Sequence, residues 1–321
     1  MIVTVTPNPS LDRTFDVPEL AVGEVNRAVA THVHPGGKGI NVSRVLALHG
    51  VATRAVLPLG GPDGLELAAL LDALALDAHA VHVRGATRSN VAVVDAAGAT
   101  TKVNAPGPVL SPDEVAALVE AVTGALGGSA RWLVLAGSAP AGAGADLYPR
   151  LVAAARARDV PVAVDASGAE LAAAVAGGGV TLLKPNLEEL ADLLGEQPRT
   201  VGQIVAATRR VLARGHEQAL VSLGPDGALL VEPDAVWWAG GEPVVPRSTV
   251  GAGDCTLAGF LATEGDPAHR LQVAVAWGRA AVATPGSAMP GPDDVDPAAV
   301  RVITGPPADA LPADLLSAAR T

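Results

Sequence analysis

Short apolar runs alternate along the chain with segments whose apolar residues recur at helical spacing. MIVTVT (1–6), WLVLAGS (132–138), VPVAVDAS (160–167), VTLLKPN (180–186) and ALVSLG (219–224) are apolar almost without interruption, the pattern of strands buried on both faces. SPDEVAALVEAVTGAL (111–126) is amphipathic instead. Ser111 is its N-cap, Pro112 its first helical residue and Glu114 the far side of a capping box, while Val115, Leu118, Val119 and Val122 form one stripe. This alternation over most of the length predicts an α/β fold, with a mostly parallel central sheet and helices on both faces.

Two regions break the rhythm. Residues 12–35 and 87–105 carry period-two patterns without a long helix, and RSNVAVVDAAGATTKVNAPG (88–107) reads as a hairpin turning at Ala96-Ala97-Gly98. The expectation is a small antiparallel sheet inserted as a lid (12–35 and 87–105) into a main domain made of 1–11, 36–86 and 106–303. The Pro/Ala-rich TGPPADALPADLLSAART is expected to be a loosely packed tail, 304–321. Strand after strand ends in a polar, flexible loop: TPNPSLD, GGPDG, AGSAPAG, VDASG, LKPNLEE, SLGPDG. Open α/β sheets bind ligands at that rim.

Composition narrows the classes. A net charge of −11, from 33 acidic and 22 basic residues, argues against nucleic-acid binding, and aromatics at 2% remove stacking platforms. Glycine, proline or charge interrupts every apolar run before it could span a bilayer, so no membrane partner is expected. Met1 leads directly into a strand pattern rather than a secretion signal, and a single cysteine suits a reducing compartment; a cytoplasmic protein is expected. Seven histidines show no metal spacing, and His32 and His34 merely share a strand face.

The chemistry gathers in two glycine loops. In PGGKGINVSR (35–44) Gly39 follows Lys38 where Walker A needs Ser or Thr, and in VGAGDC (250–255) the third glycine of a dinucleotide fingerprint is replaced by Thr256. A nicotinamide-dependent oxidoreductase is thereby disfavoured. Both loops nevertheless precede helical patterns, and a helix N-terminus attracts anions. On these residues alone, a glycine-rich turn with an exposed lysine is as good a reading of the first loop as an anion site. Asp254 could simply cap its helix. Such a position favours an ionised carboxylate and can lower the pKa of the thiol at Cys255, otherwise a small packing residue.

GGKGINVSRVLALHGVATRAVLPLG (36–60) resembles the first signature of the PfkB carbohydrate kinase family, and STVGAGDCTLAGF (248–260) resembles the second. TPNPSLDRTF, GEVNR, TRSNV, GSAPAG, KPNLEEL and VSLGPDGAL follow in the family's order, so the resemblance covers roughly residues 1–300. Within the family the chain looks most like the 1-phosphofructokinase and tagatose-6-phosphate kinase branch. The resemblance implies a ribokinase-like three-layer α/β/α domain with a small β-sheet lid.

It also implies roles. Asp254 would accept the proton of the attacking sugar hydroxyl, and the N–H groups of Gly251, Ala252 and Gly253 would form the anion hole. Asp12 would hold sugar hydroxyls beside Gly37 and Asn41. Lys38 and Arg88 would clamp a phosphate already on the substrate, with Asn90 on the same face and Arg27 a weaker candidate. Ser138 reaches the substrate or caps the next segment. Lys184, Asn186, Ser222, Gly224, Gly227 and Thr249 would lie along ATP, and Glu189 would help place Mg²⁺ indirectly. Asn186 and Glu189 also fit a plain capping box. TPGSAMPG (284–291) lies where some family members hold a monovalent cation. The implied reaction is ATP- and magnesium-dependent phosphorylation of a ketohexose phosphate, D-fructose 1-phosphate to the 1,6-bisphosphate. Tagatose 6-phosphate or fructose 6-phosphate are the alternative substrates, and a noncatalytic sugar-phosphate sensor is the alternative class. Exposed lid strands would pair two copies into a homodimer.

Overall fold

The computed structural model describes residues 1–319. Seven parallel strands form the body of the main sheet: β1 (Ile2–Val5), and, numbered in chain order, β4 (Thr53–Leu59), β5 (Ala78–His82), β8 (Trp132–Ala136), β9 (Val162–Asp165), β10 (Leu182–Leu183) and β11 (Gln218–Ser222). An antiparallel meander, β12 (Ala228–Val231), β13 (Val236–Gly240) and β14 (Arg301–Thr304), extends one edge, giving the order β14-β13-β12-β11-β10-β9-β8-β1-β4-β5. The strand order reverses beside β1, between β4 and β8. That is where an open α/β sheet leaves a crevice at its carboxyl ends.

The helices divide between the two faces, each packing apolar residues on the sheet, with α8 buried on every side from Asp254 to Leu261. On one face α1 (Lys38–Leu48), α8 (Ala252–Ala262) and α9 (Pro267–Ala283) bury Val42, Leu46, Leu257, Phe260 and Leu271 against the sheet. On the other lie α3 (Pro112–Ala125), α4 (Leu147–Arg156), α5 (Gly168–Gly177), α6 (Leu187–Leu194) and α7 (Val201–Leu212). In α3 the capping box forms between Ser111 and Glu114, and Val115, Leu118 and Val122 are buried while Val119 is partly so. The helix α2 (Gly61–Ala73) fills a third core with Leu67 and Leu71. A buried hydroxyl chain, Thr4–Ser43–Thr53 with both links 2.8 Å, holds α1 over β1 and β4.

The smaller sheet contains β2 (Ser10–Val17), β3 (Ala30–Gly36), β6 (Arg88–Asp95) and β7 (Thr100–Val103) in the order β3-β2-β6-β7. It is mixed rather than antiparallel. Each hairpin pairs antiparallel, but β2 and β6 run parallel, Ser10 opposite Arg88 through Val17 opposite Asp95. Both hairpins leave the same end of the main sheet, after β1 and after β5, so their first strands run the same way. Alternating burial reveals extended backbone but not strand direction.

The expected loose tail is also corrected. Thr304 completes β14, Val201 N–H donates to Ala310 O at 2.9 Å and Gly202 N–H to Ala308 O at 2.8 Å. Leu315, in the short α10 (Leu315–Ala318), is fully buried in the main core. The segment covers unpaired N–H groups at the start of α7, and its leucine outweighs the Pro/Ala composition; residues 320–321 lie outside the described range. Among the described residues no helix is long and apolar enough to cross a membrane.

Candidate active site

A cavity of about 1410 Å³ lies at the carboxyl ends of the main strands, between them and the smaller sheet. Thr6 and Asn8 enter from the end of β1, Ser138 from β8, Asp165 from β9, Lys184 from β10 and Ser222 from β11.

The start of α8 forms one wall. Gly251 is its N-cap at φ +77° and no side chain caps the helix, so the first-turn N–H groups remain open to an anion. Asp254, 6% exposed, accepts a hydrogen bond from Asn41 Nδ2 at 2.9 Å. Burial, and next the nearby Asp165, push its carboxyl up to about 6, against the pull of Asn41, Lys38 and Lys184. Desolvation therefore outweighs the pull of the helix end and makes Asp254 a stronger base than an ordinary aspartate, rather than the weak one expected. The same holds for Cys255, whose buried thiol is pushed up to about 12 by desolvation and then by Asp254. It is a core residue.

The start of α1 faces it. Gly37 takes φ +127°, where a Cβ would lie 2.5 Å from Thr6 Cγ2. The sequence reading pairs Lys38 with Arg88 on the substrate's own phosphate; both line the cavity, and Lys38 is engaged by a carboxylate. Lys38 Nζ donates to Asp165 Oδ1 at 2.6 Å, and Lys184 Nζ lies 3.0 Å from Oδ2. Burial opposes charge on both Lys38 and Asp165, yet the ion pairing wins, holding the lysine above and the carboxylate below their ordinary values. A Cβ on Gly253 would come within 3.2 Å of Lys184 Nζ, so this ammonium adjoins the α8 start.

At the smaller sheet, Asp12 Oδ1 accepts from Ser10 Oγ at 2.7 Å and from Asn90 Nδ2 at 3.0 Å across the β2–β6 register. Arg88 Nη1 donates to Ala105 O and Nη2 to Asn8 O, both at 3.0 Å, while its buried Nε has no partner. Asn8 Nδ2 reaches Ser138 Oγ at 3.4 Å. On the opposite flank the Asn186–Glu189 capping box forms in full, and Thr249 and the Pro285–Ala288 segment complete the wall.

The cavity thus gathers Asp12, Gly37, Lys38, Asn41, Arg88, Asn90, Ser138, Lys184, Asn186, Glu189, Ser222, Thr249, Gly251, Gly253 and Asp254. Four expected residues are absent from its lining: Ala252, Gly224, Gly227 and Arg27. Gly224 and Gly227 bracket the tight turn into β12, where a Cβ on Gly227 would strike Ala239 O. Arg27 is exposed on the β2–β3 connection. Asp165 and Asn8 escape the sequence reading, which places Pro285–Ala288 only in a segment that some family members use for a monovalent cation. The one signal for Asp165 is its place in VDASG at a strand end. His32 and His34 stack with ring centroids 6.5 Å apart, and no metal-holding cluster of three His, Cys, Asp or Glu occurs among the described residues.

The model of the pfkB family carbohydrate kinases matches residues 6–294. The chain belongs to the pfkB carbohydrate kinase family. It is 36% identical over 266 residues to 1-phosphofructokinase of Bacillus subtilis, covering 82% of this chain and 85% of that one. It is 34% identical over 298 residues to ATP-dependent 6-phosphofructokinase isozyme 2 of Escherichia coli, covering 91% and 96%. The crystal structure of E. coli phosphofructokinase-2 in complex with potassium superposes with a TM-score of 0.86 at 32% identity, again over 91% and 96%. As a pfkB kinase the protein is a phosphotransferase with an alcohol acceptor, built on the ribokinase-like α/β fold with its second, smaller sheet.

Proposed function

We propose that the protein transfers the γ-phosphoryl group of ATP to the C6 hydroxyl of D-fructose 1-phosphate. The observation that carries this reading is the buried Asp254 at the uncapped start of α8, with Lys38 and Lys184 beside it. Phosphoryl transfer needs positioning and charge stabilisation more than strong proton abstraction. The N–H groups of residues 251–253 and the two lysines supply positive potential for the transferring group, and Asp254 accepts the hydroxyl proton. Asp12 and Asn90 hold sugar hydroxyls. Arg88 carries the charge for the phosphate already on the sugar. ATP lies along Asn186, Ser222, Thr249 and the Pro285–Ala288 segment.

Magnesium fits this site as an ion shared with phosphates rather than caged by protein. Glu189 spends Oε2 on the N–H of Asn186 and retains Oε1, so Glu189 would hold it through water, where it would neutralise phosphate charge. A monovalent cation at 284–291 is supported by the potassium of the E. coli relative. A homodimer is supported by the open edges β3 and β7 and by exposed Val22, Val25, Val29 and Val103 on the smaller sheet and its β2–β3 connection. A cytoplasmic site of action fits these proposed substrates and the single cysteine.

Because several relatives are named 6-phosphofructokinases, fructose 6-phosphate is the second reading, ahead of tagatose 6-phosphate. A panel of these phosphosugars, free fructose and ribose, each with ATP, separates them by kcat/KM. The highest value for fructose 1-phosphate is expected. A higher value for another phosphosugar would reassign the substrate, and binding without turnover of any of them would make the protein a sensor.

A further inference from the structure

Arg44 is a partly buried cation to which the chemistry above gives no task. It lies on α1, one turn beyond Asn41. Its Nη1 donates to Asn41 Oδ1 at 3.4 Å and its Nη2 to Ser287 O at 3.2 Å. The other end of the same amide, Asn41 Nδ2, donates to Asp254 Oδ2 at 2.9 Å. An amide is nearly symmetric in shape but opposite in polarity at its two ends, so a flip would turn a donor toward Asp254 into an acceptor. A guanidinium has only donors. Its contact therefore draws Oδ1 to itself and leaves the NH₂ for the carboxylate.

The second arm of the fork grips main chain that lines the cavity. The two residues that follow the Pro285–Ala288 segment are pinned as well. His49 Nε2 lies 3.2 Å from Pro290 O, and Met289 Sδ lies 3.8 Å from Cys255 Sγ, the residue after Asp254. A change in the Pro285–Ala288 wall is thus mechanically linked to the helix that carries the base.

We propose that Arg44 is a positioning residue for phosphoryl transfer: its fork sets which face of the Asn41 amide meets Asp254 and ties the Pro285–Ala288 segment to the base. The inference rests on Asp254 acting as that base. The charged and titratable groups facing Asp254 are Lys38 and, through Asn41, Arg44 on α1, Asp165 at the end of β9, Lys184 after β10 and the neutral Cys255 thiol on α8. Arg44 differs from the others in acting through geometry, by way of the Asn41 amide.

The test reads the base directly. Protein carrying ¹³C-carboxyl aspartate is titrated by NMR without substrate, Asp254→Asn identifying the resonance. Arg44→Met is expected to raise the Asp254 pKa by about half a unit or more, because the amide no longer donates steadily. The acid limb of kcat/KM should move with it, kcat should fall about tenfold with the acceptor KM little changed, and methylguanidinium should restore part of the rate. Arg44→Lys keeps the charge but loses the fork, and should fall between the two. If Arg44→Met does not fold, Arg44→Lys carries the same titration. An unmoved Asp254 pKa, or complete recovery in Arg44→Lys, overturns the proposal. Since the titration needs no turnover, failure of every phosphosugar as an acceptor would defeat the kinase reading alone.

Discussion

Two helices begin against each other across the cavity, and they begin alike. Gly37 before α1 and Gly251 before α8 both take positive φ, and neither helix has a side-chain cap. Each opens on a charged residue in its first turn, Lys38 in one and Asp254 in the other. Their electrostatic fates are opposite. Lys38 finds a fully buried partner in Asp165 and stays charged against desolvation, whereas Asp254 faces that same carboxylate and is pushed toward neutrality. One residue outside both glycine loops acts on both, holding Lys38 charged and adding to the desolvation that raises Asp254. A helix end alone therefore does not decide the protonation of the group it carries; local desolvation and the nearest charge do.

The sharpest way to break this contrast is to neutralise the α8 side. Asp254→Asn is expected to lower kcat by about 10²–10⁴-fold while the Kd for ATP stays within a few-fold; turnover near wild type would remove Asp254 from the role of base. Neutralising the shared partner is next. Asp165→Asn strands the buried Lys184 ammonium and removes the partner of the half-exposed Lys38, and should destabilise the fold by about 3–5 kcal/mol in urea unfolding. Where the variant still folds, the acid limb of its activity should lie below that of the wild type, because the Asp165 charge lifts Asp254.

The third test is stability against pH. A carboxylate whose folded pKa is raised to about 6 favours folding below its unfolded pKa, and that contribution is lost as pH rises through 6. Asp254→Asn should therefore be more stable than wild type above pH 6, by up to about 3 kcal/mol. The gain should shrink toward pH 4; an equal or lower Tm at pH 8 would contradict the raised pKa. The smallest effect separates the two glycines. Gly251→Ala meets only the flexible Met289 Cε at 3.3 Å and should cost about 1–2 kcal/mol for its positive φ. Gly37→Ala adds a collision with Thr6 and should cost more, and the reverse order would refute the tighter fit at α1.

How much of this was legible beforehand varied with the distance over which each feature is specified. Ser111 with Glu114, and Asn186 with Glu189, are capping boxes readable from three-residue spacings, and both form. The apolar runs placed five of the seven parallel strands, since a strand covered on both faces is apolar almost throughout; β4 and β5 were not among them. The parallel β2–β6 pairing was not readable, because period-two burial is the same in either direction. Leu315 was hidden for a related reason: one buried leucine outweighs a Pro/Ala-rich composition only when a core lies within reach.

The same division runs through the site. By itself the sequence determined that two glycine-started helices would present a lysine and an aspartate at the carboxyl rim of an α/β sheet, since turn chemistry and apolar periodicity are local. Only the tertiary structure decided what those charges do. Asp165, 127 residues from Lys38, and Arg44, 243 residues from Ser287, act through contacts that chain proximity does not encode. Charge interaction depends on distance in space and on exclusion of water, and both are properties of the folded chain.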